Sequence, residues 1–322
     1  MPSISNEIDE EKIFEIINKN FSKIAPSYYT LITNWFIDAY KSFNGIDKFI
    51  ILIYLINKDF IFFRKNRLII DYDTFYKDKS LEIPKINIID ISKDLRIPRE
   101  SVRRKIEILK KKGVIKKSGK KIFVDRSAFI TAKADKTLKN LSILISKLSE
   151  VLKEEKIIDT AFTINEVSRS IKKNFSFCWY QFYKFIFIFS NRWKTDTATK
   201  DLETVSVALI VLINTVQNKG FKNKNLDRKK YLREIQKTEH LGINAFSIAE
   251  ITGIPRATVV RKLKFLVKRK FINIDKKKLY SFSIGLSTIQ FKVITELQDK
   301  NMNALSKFLY RVVNQINVIN YK

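Results

Sequence analysis

Ile97-Pro98-Arg99-Glu100-Ser101-Val102-Arg103-Arg104-Lys105 recurs, altered, as Ile254-Pro255-Arg256-Ala257-Thr258-Val259-Val260-Arg261-Lys262. Pro98 and Pro255 are 255 − 98 = 157 residues apart, and the same offset aligns Ile91 with Ile248, Ile106 with Leu263, Leu109 with Leu266 and Ile115 with Ile272 without a gap. Leu55-Ile56-Asn57 and Leu212-Ile213-Asn214 also fall at this offset, which carries the duplication well upstream. A period near half of 322 residues means that a whole domain is doubled.

Around the repeated stretch the pattern is helix, turn, helix, hairpin. Asn87 is a good N-cap for a short helix to Leu95, Asp90 sits where a carboxylate favours the helix start, and Ile88, Ile91 and Leu95 make one face. Asn244 repeats the cap, and Ser92 and Ala249 occupy the matching small position, where another helix could cross closely. Arg96 and Gly253 centre a tight turn; Gly253 fits the positive φ that such a turn often demands, whereas Arg96 adopts it at some cost or uses a different turn. The next helix, Pro98 to Lys112, opens on proline and turns Val102, Ile106 and Leu109 inward; Val259, Leu263 and Leu266 do so in the copy. Gly113 to Val124 then reads as two short strands around Ser118-Gly119, and Phe271 to Phe282 as two strands around Lys276 and Lys277. This is the winged helix-turn-helix order.

Upstream, Phe14 to Phe43 has helical spacing with a break at Pro26, and Asn44-Gly45 ends it. Lys48 to Phe63 is apolar nearly all round and is read as a buried central helix, with Val205 to Val216 as its counterpart. Arg64 to Lys85 and Lys219 to His240 are charged connectors without a firm pattern. Downstream of each hairpin a long helix carries an apolar stripe: Leu138, Leu141, Ile145, Leu148 and Leu152, then Leu305, Leu309, Val312, Ile316 and Ile319. Two roles suit such stripes: packing inside each domain, or pairing the two helices or two chains. The aromatic segment Phe175 to Phe189 is read as core rather than ligand pocket. We therefore expect a mainly α chain of tandem winged helix-turn-helix domains, 1–155 and 156–322, each with extra N-terminal helices, a short hairpin wing and a long C-terminal helix. The expected join is Lys153-Glu154-Glu155-Lys156, the helix-turn-helix units span about 87–112 and 244–269, and the wings about 113–125 and 271–283.

Composition narrows the function. Lys and Arg number 62 against 33 Asp and Glu, a formal charge of +29, so a polyanion is the first partner to consider. Cys178 and His240 are each the only residue of their kind, which leaves no disulfide within the chain, no cysteine cluster for zinc and no histidine-centred triad. We expect no cofactor and no metal, and no enzyme signature stands out: Asp71, Asp73, Glu82 and Asp90 lie in a weakly patterned connector and read as solvated acids. The acidic start lacks a secretory pattern, and the two apolar runs, Phe49 to Phe63 and Val205 to Val216, fall short of the roughly 20 residues of a membrane span. A cytoplasmic protein away from membranes is expected.

On a helix whose Val102, Ile106 and Leu109 face the core, Arg99, Glu100, Arg103, Arg104 and Glu107 lie on the other side, at the end that such proteins push into the major groove. An arginine fork grips guanine O6 and N7, and glutamate accepts from cytosine N4. Candidate base readers are thus Arg99, Glu100, Arg103 and Arg104, with Arg256, Ala257, Val260 and Arg261 in the copy; Ala257 offers only a methyl, as to thymine. Candidate contacts to the DNA backbone are Ser101, Lys105, Thr258 and Lys262, joined from the wings by Lys116, Lys117, Lys120, Lys121, Lys276, Lys277 and Lys278.

Pro98-Arg99-Glu100-Ser101-Val102-Arg103-Arg104, followed by Lys110-Lys111-Lys112-Gly113-Val114-Ile115 and the Ser118-Gly119 wing, resembles the DNA-binding domain of the catabolite-activator and fumarate-nitrate regulator family, over roughly 45 residues per copy. The resemblance implies that Arg99, Glu100 and Arg104 read bases, with Ser101 near phosphate. The copy keeps Arg256, Thr258 and Arg261 but carries Ala257 in place of the glutamate, and nothing resembles the family's cyclic-nucleotide domain. The expected function is sequence-specific binding of double-stranded DNA as a transcriptional regulator, by a monomer acting as a pseudo-dimer or by a homodimer. Two other readings are a plasmid- or phage-type replication initiator with tandem winged helices and a chromosome-organising interaction module.

Overall fold

Asp9 accepts a hydrogen bond from the Lys12 amide at 2.6 Å and starts the first helix, α1 (Glu10–Lys19). At its end, Asn20 donates to the Ile16 carbonyl through both its backbone, at 3.0 Å, and its side chain, at 3.3 Å. The second helix, α2 (Phe21–Phe43), follows at once and runs through Pro26. The break expected at Pro26 is therefore at Asn20: Tyr28, Tyr29, Trp35 and Phe36 are all buried and hold α2 in place at the cost of one backbone hydrogen bond. Asn44, at φ 51°, ends α2, and the buried central helix α3 (Ile46–Lys65) begins after Gly45. The computed structural model that shows these elements describes residues 9–83, 85–125, 134–196, 199, 201–216, 225–237, 242–282 and 289–320; His240 and residues 219–224 and 238–239 of its connector lie outside them.

The first connector has structure of its own. Asp71 caps α4 (Tyr72–Lys77), which buries Tyr72 and Phe75, and β1 (Ser80–Ile83) follows. Next come α5 (Ile88–Leu95), α6 (Arg99–Lys111), β2 (Ile115–Ser118), β3 (Lys121–Asp125) and α7 (Asp135–Glu154). The three strands form an antiparallel sheet of order β1-β3-β2, with Ser80 opposite Asp125 and Ser118 opposite Lys121. The hairpin loop is Gly119-Lys120, one residue later than the sequence suggested, and Gly119 at φ 57° supplies the positive first position of a two-residue turn.

The second repeat follows the same order: α8 (Ile164–Lys173), α9 (Phe175–Asp196), α10 (Leu202–Val216), α11 (Arg228–Lys237), α12 (Ala245–Thr252), α13 (Arg256–Lys268), β4 (Asn273–Ile274), β5 (Tyr280–Ser281) and α14 (Ile289–Asn320). Ile243 and Tyr280 exchange two amide bonds of 2.9 Å, an isolated bridge in the place of the β1–β3 ladder. Segments 88–95 and 99–111 recur as 245–252 and 256–268 at the offset of 157. Upstream the offset is 175 − 21 = 154, because residues 197–201 join α9 to α10 where 44–45 join α2 to α3.

Packing between the repeats is reciprocal. The first helix of each packs on the long last helix of the other, α1 on α14 and α8 on α7; the second helix of each packs on the central helix of the other, α2 on α10 and α9 on α3. Reciprocity of this kind is the mark of a twofold, isologous relation rather than a head-to-tail one. The leucine stripes, apart from Ile319, whose side chain lies outside the described residues, serve this packing: α7 lies mainly against α2 and α8, and α14 against α9 and α1. Phe175, Trp179, Phe182 and Phe185 are fully buried, and both repeats contribute to one continuous core. The expected join is docked, with Glu155 on Lys19 at 2.7 Å and on Asn20 at 2.8 Å, and Glu154 on Lys23 at 2.5 Å. Among the described residues the chain is mainly α-helical with two small antiparallel sheets, and no helix is long and apolar enough to cross a membrane.

Candidate nucleic-acid interface

The turn between α5 and α6 is set by Arg96 at φ 52° and Ile97: the Ile97 amide donates to the Ser92 carbonyl at 3.2 Å, and the Ser92 hydroxyl donates to the Ile97 carbonyl at 2.7 Å. Ser92 thus locks the turn. In the copy Gly253 takes φ 73°, and Thr252 accepts from the Ile254 amide at 3.2 Å. Pro98 and Pro255 are the cap residues, one position before the first helical turn.

The inner face of α6 is Val102, Ile106 and Leu109, all buried, and Arg99, Glu100, Arg103, Arg104 and Glu107 are exposed on the other side. Arg103 pairs with Glu100 at 3.3 Å and Lys110 with Glu107 at 2.7 Å. Arg99 and Arg104 have no carboxylate partner among the described residues, so both forks are open to a ligand. On α13, Arg256, Ala257 and Arg261 are exposed, again with no carboxylate on either arginine among the described residues, while Thr258 and Val260 are half-buried like Ser101.

Lys105 and Lys262 were expected on the DNA backbone, and both instead turn inward. Lys105 reaches Asp47, in the first turn of α3, at 3.4 Å. Lys262 is buried and reaches Asp201 at 2.6 Å and the Thr204 hydroxyl at 3.3 Å, at the start of α10. The cause is helical spacing: each lysine is three residues after one core side chain, Val102 or Val259, and four before another, Leu109 or Leu266, which puts it on the inner flank. Each ties its helix to the central helix of its own repeat.

The hairpins differ in how many of their lysines are free. Lys116 pairs with Asp125 at 2.5 Å and Lys121 with Glu82 at 2.9 Å, whereas Lys117 and Lys120 are exposed with no carboxylate partner among the described residues. In the second hairpin Asp275 organises the loop: its backbone carbonyl accepts from Lys278 at 3.0 Å and its side chain from the Leu279 amide at 2.8 Å. Lys276, Lys277 and Lys278 ride exposed on that loop, Lys278 at φ 59°.

Sequence reasoning did not find what orients the helix pairs. Asn191 and Lys194, on α9 of the second repeat, donate to the Asp94 carbonyl, at 2.7 Å, and the Leu95 carbonyl at the end of α5 in the first. Burial lowers the Lys194 pKa. On the other side Lys41 of α2 lies against Gly253, where an added Cβ would stand 3.4 Å from its Cγ and Cε. No run of residues signals these contacts, because each joins ordinary polar side chains far apart in the chain. Among the acids weighed as metal ligands, Asp71 caps α4, its side chain accepting from the Thr74 amide at 2.9 Å.

Two helix pairs therefore present open arginine forks from the starts of α6 and α13, flanked by free lysines on the hairpins, and each is braced by the other repeat. Such an array can grip guanine edges and phosphates. No protein-family model, no curated protein and no solved structure matches the chain.

Proposed function

We propose that the chain binds double-stranded DNA sequence-specifically as a transcriptional regulator, through two winged helix-turn-helix units, 87–125 and 244–282, carried by one molecule. The observation that carries this reading is the set of exposed, unpaired arginines Arg99, Arg104, Arg256 and Arg261 at the starts of α6 and α13, on helices whose opposite faces are buried. A formal charge of +29 supports a polyanionic partner. The twofold relation of the repeats calls for half-sites in inverted orientation, since target symmetry mirrors protein symmetry. Glu100 corresponds to Ala257 under that relation and Arg103 to Val260, so the half-sites are unlike: a G·C-containing half under α6, and one with a thymine methyl against Ala257 under α13. A cytoplasmic monomer with both readers needs no second chain.

Selection of bound duplexes from a random pool tests this. The expected product is a single imperfect inverted repeat; absence of any motif would overturn sequence-specific binding, and a direct repeat would overturn the twofold reading. Arg99→Ala and Arg104→Ala should each lose about 1–3 kcal/mol of discrimination against random DNA at the same salt. The presence of two units in one chain also favours a second role, initiation of plasmid or phage replication, which predicts that genomic sites occur as arrays beside one origin.

A further inference from the structure

The relation between the repeats also pairs two grooves, each between the second helix of a repeat and its long last helix. The groove between α9 and α14 has a volume of about 260 Å³. Lys184 and Arg192 stand on its α9 wall and Lys307 and Arg311 on its α14 wall. Phe185 and Phe308, both buried, also line it and stack with ring centroids 5.6 Å apart at 12°, and the half-buried Ile188 lines it as well.

At the equivalent places between α2 and α7 the chain has Thr30, Asp38, Glu150 and Glu154, by the offsets of 154 for the second helix and 157 for the last. Those three acids are each neutralised locally, Asp38 by Lys136 at 2.8 Å, Glu150 by Lys147 at 2.5 Å and Glu154 by Lys23 at 2.5 Å. The four cations are neutralised only in part. Glu10 is shared by Lys307, at 3.7 Å, and Arg311, at 3.4 Å, Arg192 donates to the Lys300 carbonyl, and Lys184 has no carboxylate partner among the described residues. Among the described residues four cations thus share one carboxylate, Glu10, where the first repeat packs the same two helices with three locally neutralised acids. An excess of positive charge in a cleft of this size, lined also by the half-buried Ile188, fits a small anion with an apolar body.

We propose that the α9/α14 groove binds a small amphipathic anion, its carboxylate, phosphate or sulfonate head held by Lys184, Arg192, Lys307 and Arg311 and its apolar body against Ile188. The site adjoins the DNA-reading apparatus. Asn191 and Lys194, within one turn of Arg192, hold the end of α5, so an occupant drawing on Arg192 acts on the segment that braces the first helix pair. Anion binding itself does not depend on the DNA-binding reading and is tested without DNA.

The probe is 8-anilinonaphthalene-1-sulfonate, titrated by fluorescence into the full chain at low salt. One saturable site is expected. The double variant Lys184→Thr with Lys307→Glu, which installs the residues of the first repeat, should weaken it at least about tenfold, the effect of removing one charge-assisted hydrogen bond. Lys276→Glu with Lys277→Glu, on the second hairpin, should leave it unchanged while altering the net charge equally or more. A thermal melt confirms folding; if the double variant fails to fold, Lys184→Thr alone, at an exposed position, should still weaken the dye. The proposal is overturned by equal binding in wild type and the groove variant, by equal weakening in the hairpin variant, or by random duplex DNA displacing the dye from wild type, which would make the groove part of a DNA track.

Discussion

Ser176 and Ile70 bind each other through two 2.9 Å hydrogen bonds, the Ser176 amide to the Ile70 carbonyl and the Ile70 amide to the Ser176 hydroxyl. Ser22 and Leu226 repeat the clasp on the other side, at 3.1 and 2.9 Å. Each serine is the second residue of its helix and reaches a connector of the other repeat, so the two clasps are exchanged between the halves. Ser176→Ala leaves the Ile70 amide without that acceptor and should cost about 1–3 kcal/mol in urea unfolding. Because the repeats share one core, wild type should unfold in a single transition; separate midpoints by far- and near-ultraviolet circular dichroism would contradict this.

Lys262 and Arg261 are neighbours in sequence with opposite expected roles. Lys262→Ala removes the buried partner of the half-exposed Asp201 and should destabilise the fold by about 1 kcal/mol, leaving the salt dependence of DNA binding unchanged. Arg261→Ala should leave the melting temperature within a degree or so and reduce binding, because an exposed arginine supports the ligand and not the fold. The reverse pattern would refute the assignment of inner and outer faces on α13.

Free and paired hairpin lysines should separate in their salt dependence. Lys117→Ala and Lys120→Ala should each lower the slope of log K against log salt by about 1, as removal of one phosphate-binding lysine does. Lys116→Ala and Lys121→Ala should lower it less, since Asp125 and Glu82 already neutralise those charges. Equal slopes for all four variants would show that the ion pairs open on binding.

Glu203 carries a pH signature. Its carboxylate accepts the Ile46 amide at 3.1 Å, tying the start of α10 to the start of α3, and burial, with Asp47 nearby, raises its pKa. A carboxyl whose folded pKa exceeds its unfolded value contributes its full stability below the ordinary carboxylate range and loses it as pH rises through the raised value. Glu203→Gln keeps an acceptor for Ile46 without the charge. It should melt higher than wild type at pH 8, with the gap closing at pH 4; a variant less stable at pH 8 would refute the account.

The helix pairs were legible because their causes are local. Asn87 and Asn244 cap, Pro98 and Pro255 open the next helix, and apolar residues at helical spacing mark the inner face, all within about four turns of chain. The upstream repeat was half hidden. Lys19-Asn20-Phe21-Ser22 recurs unchanged as Lys173-Asn174-Phe175-Ser176, but at 154 rather than 157, so the offset that revealed the helix pairs passes over it.

The sequence by itself determined two copies of a helix pair with a basic hairpin, and which side of the second helix of each pair is apolar. Tertiary structure decided that the copies share a core through exchanged helices, that Lys105 and Lys262 point inward, and that one groove of two gathers four cations. These depend on long-range pairing of common side chains. A lysine has the same charge and flexible stem on either flank of a helix, and only the acids brought beside it by the fold, Asp47 and Asp201, draw it in.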